Sequence, residues 1–183
     1  MTNILYLITH ISYLTSPYSN LNNMKTRIGF GFDVHQLKGG KDFWIGGHKI
    51  PSSKGATGHS DADVLIHAIC DALLGAAGMR DIGFQFPDTS SEFKGIDSKL
   101  LLSRVIDLLK KENYTIGNID CTLVLEAPKI NPHIDKMKQT LANIMNIDES
   151  DIGLKATTNE KMGYVGREEG VCAYAVALIQ KGG

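Results

Sequence analysis

Apolar and polar positions along this chain recur with two periods, one suited to strands and one to helices. Arg27 to His35 is an extended segment of glycines and phenylalanines and predicts a first strand. Phe43–Ile45 and Lys49–Ile50, split by Gly46-Gly47, predict a short hairpin. Pro51 to Gly58 is biased to small residues and reads as a loop. A helix is predicted from Ser60, a good N-cap, with Asp63 three residues later approximating a capping box. It runs through Leu74 and breaks around Gly75–Gly78. Asp81 to Gly95 is irregular. Asp97 or Ser98 caps a second helix with Leu101, Val105, Leu108 and Leu109 on one face and Lys110 and Lys111 at its end. Ile119 to Glu126 alternates: Ile119, Cys121, Leu123 and Leu125 face one way, Asp120, Thr122, Val124 and Glu126 the other. Ile134, Met137, Leu141, Ile144 and Met145 predict a third helix, and Ile152–Thr158 and Val171–Ile179 two closing strands. This order predicts an α+β fold, a single sheet with helices packed on one face.

Composition narrows the function more than the fold. With 183 residues, 43% hydrophobic and 21% charged, the chain suits one domain with a core that needs no staples. The 19 Lys+Arg nearly cancel the 20 Asp+Glu, which argues against a nucleic-acid partner. A small anionic ligand remains compatible, because a local site is enough. Cys70, Cys121 and Cys172 are odd in number and form no Cys-x-x-Cys pair. They read as small buried thiols in a reducing, cytoplasmic protein rather than as disulfides or a thiolate metal site. Residues 1–24 hold no charged side chain and are apolar from Ile4 to Leu14. They lack a basic region ahead of that stretch and are too short to span a bilayer. They are expected to be a disordered extension or an over-called start, with Met24 as the natural first residue. The expected domain is 25–183, with no membrane partner.

Three segments carry candidate chemistry. Asp33-Val34-His35 projects a carboxylate and an imidazole from one face of a strand. Both suit zinc, but Asp-x-His alone is a weak signal that an exposed strand end explains more simply. Asp63, His67 and Asp71 are spaced four apart on the predicted helix. His67 could then lean one ring nitrogen on a carboxylate and offer the other to a metal; the alternative is a solvated acidic face. Val64, Ile66, Ala68, Ile69 and Leu73 argue for burial. His59 lies just before the helix, where anions are favoured. Lys155-Ala156-Thr157-Thr158-Asn159-Glu160-Lys161 has the makeup of a phosphate and divalent-cation site. On composition alone, a polar turn with lysine salt bridges explains it more simply. Arg167, among glycines, can grip phosphate or carboxylate in bidentate fashion, though a plain loop accounts for that stretch equally well.

Taken together, the segments resemble one family over roughly Arg27 to Lys181: the 2-C-methyl-D-erythritol 2,4-cyclodiphosphate synthases of non-mevalonate isoprenoid biosynthesis. The resemblance rests on Gly31-Phe32-Asp33-Val34-His35, on His59-Ser60-Asp61 through Asp71-Ala72-Leu73-Leu74-Gly75-Ala76, and on Asp81-Ile82-Gly83 with Phe86-Pro87-Asp88. Ala127-Pro128-Lys129 and Lys155-Ala156-Thr157-Thr158 with Glu160-Lys161 complete it. It implies a homotrimer with active sites between subunits, and a cytidine diphosphate ester as substrate, whose 2-phosphate displaces cytidine monophosphate. It implies that Asp33, His35 and His67 hold zinc and that Glu160 helps bind a second divalent ion, magnesium or manganese. His59 and Thr158 match positions credited with transition-state stabilisation. Asp33, His35, His59, Ser60, Asp81, Ile82, Gly83, Phe86, Pro87, Asp88, Thr89 and Ser90 match positions near the methylerythritol phosphates. Leu125, Glu126, Ala127, Pro128, Lys129, Ile130 and Asn131 would surround the cytidine part, with Thr157, Thr158, Asn159, Glu160, Tyr164 and Arg167. Asn159 stands where many relatives carry threonine, and Tyr164 where many carry phenylalanine.

Two other readings use the same residues. A zinc phosphohydrolase would employ the three ligands to activate water. A nucleotide-binding module would bind without turnover.

Overall fold

The computed structural model describes residues 25–87, 93 and 95–182. The expected N-terminal extension, 1–24, lies outside the described residues. Among the described residues, the strands and α-helices follow in the order β1 (Lys25–Gly39), β2 (Trp44–Ile45), β3 (His48–Lys49), β4 (Lys54–Thr57), α1 (Val64–Ala77), α2 (Ile82–Gln85), α3 (Ser98–Lys111), β5 (Tyr114–Val124), α4 (Ile134–Met145), β6 (Ile152–Thr157), α5 (Gly163–Gly166) and β7 (Gly170–Lys181). The main sheet runs β4-β1-β7-β5-β6. Only the β5–β6 pair is parallel, and α4 lies between those strands in the chain as a parallel crossover requires. The fold is therefore α+β with a mixed sheet. The expectation of one sheet needs correction, because β2 and β3 form a separate two-stranded ribbon.

The long helices and the inner sheet face share one core, from Leu65, Ile69 and Leu73 of α1 to Leu102 of α3, Met137 of α4, and Ile119 and Leu123 of β5. On β1 the inward positions are not the aromatic ones. Gly29 and Gly31 are buried, whereas Ile28, Phe30, Phe32 and Val34 are exposed. The reason is steric. A methyl group on Gly31 would overlap the carbonyl oxygen of Ala68, and one on Gly29 that of Ala72. Helix α1 presents Ala68, Ala72 and Ala76 there and lies almost backbone to backbone on the strand. Burying Leu65, Ile69 and Leu73 on its other sides contributes about 2 kcal/mol each. The opposite sheet face carries Phe30 and Phe32 beside Tyr174, with Phe32 and Tyr174 ring centres 5.0 Å apart. Helices do not all keep to one face: Val165 of α5 packs on Val124 and Cys172, which lie on that outer face.

Three local expectations change. Helix α1 starts at Val64 with Asp63 as N-cap, not at Ser60. The Asp63 carboxylate accepts the N–H of Ile66 at 3.1 Å and those of Gly46 and Gly47 at 2.9 and 2.7 Å. It thereby ties the helix start to the ribbon turn, a role Ser60 cannot fill at its place in the chain. Residues 54–57, read as loop, form β4. Small residues gave no periodic signal there, yet the far half of β1 needs a backbone partner, and Gln36 to Gly39 find it in Thr57 to Lys54. β5 begins five residues early, at Tyr114, because Gly117 sits at a bulge that interrupts the alternation.

The close approach of α1 predicts that Gly31→Ala costs roughly 3 kcal/mol, the upper end for overpacking, since the obstacle is backbone. Urea unfolding measures this; an unchanged midpoint would contradict the packing described.

Candidate functional site

Asp33 and His35 point inward from β1, two and four residues beyond Gly31, and His67 precedes Ala68 on α1. The strand–helix contact therefore brings the three side chains together. His67 Nδ1 lies 2.9 Å from Asp33 Oδ2 and 3.1 Å from His35 Nε2, and His35 Nε2 lies 3.1 Å from the same Asp33 oxygen. Among the described residues, this is the one cluster of three His, Cys, Asp or Glu groups able to share a metal ion.

The other side of His67 shows why a cation belongs there. Its Nε2 is 3.0 Å from Ser60 Oγ and 3.0 Å from Ser98 Oγ. The Ser98 hydroxyl donates to the Asp61 carboxylate. A carboxylate only accepts, so Ser98 has spent its proton and offers His67 a lone pair. The Ser60 hydroxyl can donate or accept, but a bare Nε2 would face the Ser98 lone pair; a hydrogen on Nε2 removes that repulsion, and the neutral ring then turns a bare Nδ1 toward an acidic oxygen. Only a proton or a metal ion reconciles that contact. Without metal, the proton wins. Burial alone would lower the His67 pKa, but the Asp33 carboxylate beside it raises it above the ordinary value. Burial also opposes the charge on Asp33, yet hydrogen bonds from His35 and His67 hold that carboxyl well below the usual range. Two nitrogens and one carboxylate oxygen form a donor set that fits zinc with a position left for a ligand.

The expected second partner of His67 was a carboxylate on its own helix. Neither Asp63 nor Asp71 serves. Asp63 is the N-cap, and Asp71 accepts the N–H of Ile82 at 2.8 Å, fixing α2 against α1. Sequence reading missed Ser98 as a site residue. Its only signal was being a candidate helix cap, and its partner Asp61 lies 37 residues away.

A cavity of about 220 Å³ opens over the triad, lined also by His59, Ser60, Ile82, Gly83 and Phe86. Asp81 stands at its margin as N-cap of α2, accepting the N–H of Phe84 at 2.9 Å. Pro87 follows and is exposed. Asp88, Thr89 and Ser90 lie outside the described residues.

The other expected residues gather elsewhere. Leu125, Glu126, Pro128, Lys129, Ile130, Asn131, Thr157 and Thr158 line a second cavity of about 360 Å³. Ala127 joins Pro128 through a cis peptide bond. Glu126 turns inward to its own chain: its Oε1 accepts the N–H of Asn159 at 3.0 Å and of Lys161 at 3.1 Å. Its Oε2 pairs with Lys161 Nζ at 2.9 Å. The carboxylate thus clamps the turn that bears Thr158 and Glu160, where Glu160 and Lys161 both have positive φ. Thr158 Oγ1 donates to Glu160 Oε1 at 3.0 Å. Asn159 is committed to the same turn through Met162 O. Tyr164 packs near Gly170. Arg167 forms a bidentate pair with Glu169, at 3.0 and 2.9 Å, instead of an open anion fork. The cysteines are buried and unpaired. Burial raises the Cys70 pKa and pushes Cys121 up to about 12, so neither serves as a ready thiolate.

Comparison with known proteins gives a consistent result. The sequence profile described as the YgbB family matches residues 26–180. A 2-C-methyl-D-erythritol 2,4-cyclodiphosphate synthase of Parabacteroides distasonis is 61% identical over 160 residues, covering 87% of this chain and 99% of the relative. One from Bacteroides thetaiotaomicron is 58% identical over 86% of this chain and 99% of its own. Among solved structures, an IspF–CDP complex of Plasmodium falciparum superimposes with a TM-score of 0.76 at 34% identity, covering 86% of this chain and 97% of that one. A 2C-methyl-D-erythritol-2,4-cyclodiphosphate synthase in a CDP-bound form gives 0.78 at 36% identity, over 84% and 99%.

If the triad holds a divalent ion, His67→Ala should weaken binding by more than the roughly 10–100-fold that loss of a supporting partner costs. Affinity in the unaltered protein should rise with pH, because the proton at His67 competes. Since Asp33 raises that pKa, the rise should continue above the ordinary histidine value of about 6.5. Chelator competition across pH checks both; undiminished binding by the alanine variant would exclude the triad.

Proposed function

The chain belongs to the YgbB family, and from that premise we propose that it cyclises 4-diphosphocytidyl-2-C-methyl-D-erythritol 2-phosphate to 2-C-methyl-D-erythritol 2,4-cyclodiphosphate, releasing CMP. This is a phosphorus–oxygen lyase reaction of non-mevalonate isoprenoid biosynthesis. The observation that carries the reading is the convergence of Asp33, His35 and His67 beside a cavity, together with relatives near 60% identity that bear this activity in their names.

In the reaction an oxygen of the substrate's 2-phosphate attacks the β-phosphorus. The bond from that phosphorus to the CMP oxygen breaks, and CMP carries away the electron pair. Phosphoryl transfer needs positioning and charge neutralisation more than a protein nucleophile. Asp33, His35 and His67 are the residues to hold zinc, which supplies positive charge against the β-phosphate when bound. His59 and Ser60 border that phosphate. Ile82, Gly83 and Phe86 give the methylerythritol chain an apolar wall, with Asp81 and Pro87 at its edge, and Asp88, Thr89 and Ser90 are assigned to the same end on family resemblance alone. Thr158 offers a hydroxyl to the developing charge, and Glu160 offers a carboxylate to a second divalent ion, magnesium or manganese. Residues 125–131, with Thr157, Asn159, Tyr164 and Arg167, receive the cytidine end.

The strand order supports assembly of the active site from two copies within a homotrimer. Val34, Cys172, Val124 and Thr157 form one rung across β1, β7, β5 and β6. Asp33 and His35 therefore stand three strands from Thr158, about 14 Å at the usual interstrand spacing. A threonine and a metal-held phosphate that act on one phosphorus cannot be that far apart. The outer sheet face offers the contact surface: Ile28 and Phe30 are 69% and 62% exposed, and Phe32, Val34, Tyr174 and Val176 continue the patch. We read 25–183 as one catalytic domain. No described helix is long and apolar enough to cross a membrane, and three unpaired thiols suit the reducing cytoplasm.

Single turnover in oxygen-18 water separates cyclisation from hydrolysis. Cyclisation should leave CMP and the cyclic product unlabelled, and a substrate without the 2-phosphate should release no CMP. Solvent label in either first-turnover product would establish hydrolysis instead.

A further inference from the structure

The contacts behind His67 form a chain whose polarity depends on two residues outside the ligand set. Asp61 Oδ2 accepts the backbone N–H of Ser98 at 3.0 Å, and Oδ1 accepts that of Asp63 at 3.1 Å. The Ser98 hydroxyl donates to the same Oδ1. Ser98 is fully buried at the start of α3, so no solvent competes for its lone pairs. Ser60 Oγ accepts the N–H of Ala62 at 3.1 Å and is the other neighbour of Nε2. Ligating histidines commonly lean directly on a carboxylate or carbonyl. Here a hydroxyl stands between, and a hydroxyl can donate in either direction. Asp61 decides which.

We propose that Asp61 and Ser98 are positioning residues that keep the His67 hydrogen on Nε2 and its Nδ1 lone pair toward the metal. The inference rests on the reading of Asp33, His35 and His67 as zinc ligands. It also states what each member does. Ser98 gives Nε2–H an acceptor. Asp61 holds the Ser98 proton away from His67. An asparagine at 61 can turn its amide N–H to Ser98 Oγ, which frees the hydroxyl to donate to Nε2. His67 would then carry its hydrogen on Nδ1, where the metal must bind.

The test is the zinc dissociation constant, by chelator competition, for the unaltered protein, Ser98→Ala, Asp61→Asn and the double variant. Ser98→Ala should weaken zinc binding about 10–100-fold. Asp61→Asn should weaken it further, because it reverses the polarity rather than removing one contact. The double variant should bind no worse than Ser98→Ala, since the hydroxyl that Asp61 orients is gone and the Ser60 side chain bonds His67 and Ala62, not Asp61. Asp61 and Ser98 touch, so contact alone makes their losses non-additive; the test of polarity is the sign, because only a reversed hydroxyl lets Ser98→Ala relieve the loss caused by Asp61→Asn. Ser98→Ala with unaltered affinity, or a double variant that binds no better than Asp61→Asn, would overturn the proposal. An unaltered protein that binds no zinc would instead overturn the metal reading on which it rests. If Asp61→Asn fails to fold, the imidazole proton spectrum of zinc-loaded protein decides. The His67 Nε2–H should exchange slowly with solvent and faster in Ser98→Ala; equal exchange would overturn the proposal.

Discussion

The site depends on how closely α1 lies against β1. Gly29 and Gly31 leave room on the strand, and Ala68, Ala72 and Ala76 leave room on the helix. Any larger pair would lift the helix and separate its side chains from those of the strand. Because they do meet, His67, one residue before Ala68, reaches Asp33 and His35, just past Gly31. One packing contact seals the core and sets the ligand triangle. The same requirement turns the aromatic side chains of β1 outward, since the inner positions are taken by glycine. The exposed apolar face is thus a consequence of the site's construction, and it is the surface on which the proposed assembly would form.

How much of this was legible in the sequence follows from the range of each interaction. Asp33 and His35 share a face by the two-residue period of a strand, which needs no tertiary information. Burial of His67 was legible from its apolar neighbours on the helix. Its partners were not. The four-residue spacing pointed to Asp63 and Asp71, but backbone N–H groups of Gly46, Gly47 and Ile82 claim those carboxylates. Ser98 comes from another helix, and no local pattern announces a contact across 31 residues. The start of α1 was misplaced for a similar reason. Asp63 is the better cap only because the ribbon turn delivers two further donors to it. Strand β4 was illegible because Gly55 has no side chain and Ala56 only a methyl group, too little to show an alternation, while β1 supplied the reason for it to form. The second cavity was legible only through family resemblance, since the 155–161 segment also reads as a polar turn. Part of that turn reading holds: Lys161 pairs with Glu126, which shapes the segment instead of facing the cavity alone.

Two half-sites on one chain, three strands apart, are the central feature of this account. Each is internally ordered. The first is fixed by α1 on β1 and by the Asp61–Ser98 pair, the second by Glu126 holding the Thr158–Glu160 turn. Neither can reach across its own sheet to the other. Under the proposed function, the reaction joins half of one copy to half of its neighbour. Co-expression of a His67→Ala chain with a Thr158→Ala chain tests this most directly. Each variant alone should be nearly inactive. In randomly mixed trimers about a quarter of the sites should pair two intact halves, and activity should return to that extent. Mixed assemblies as inactive as the separate variants would show that each chain works alone and would contradict the account.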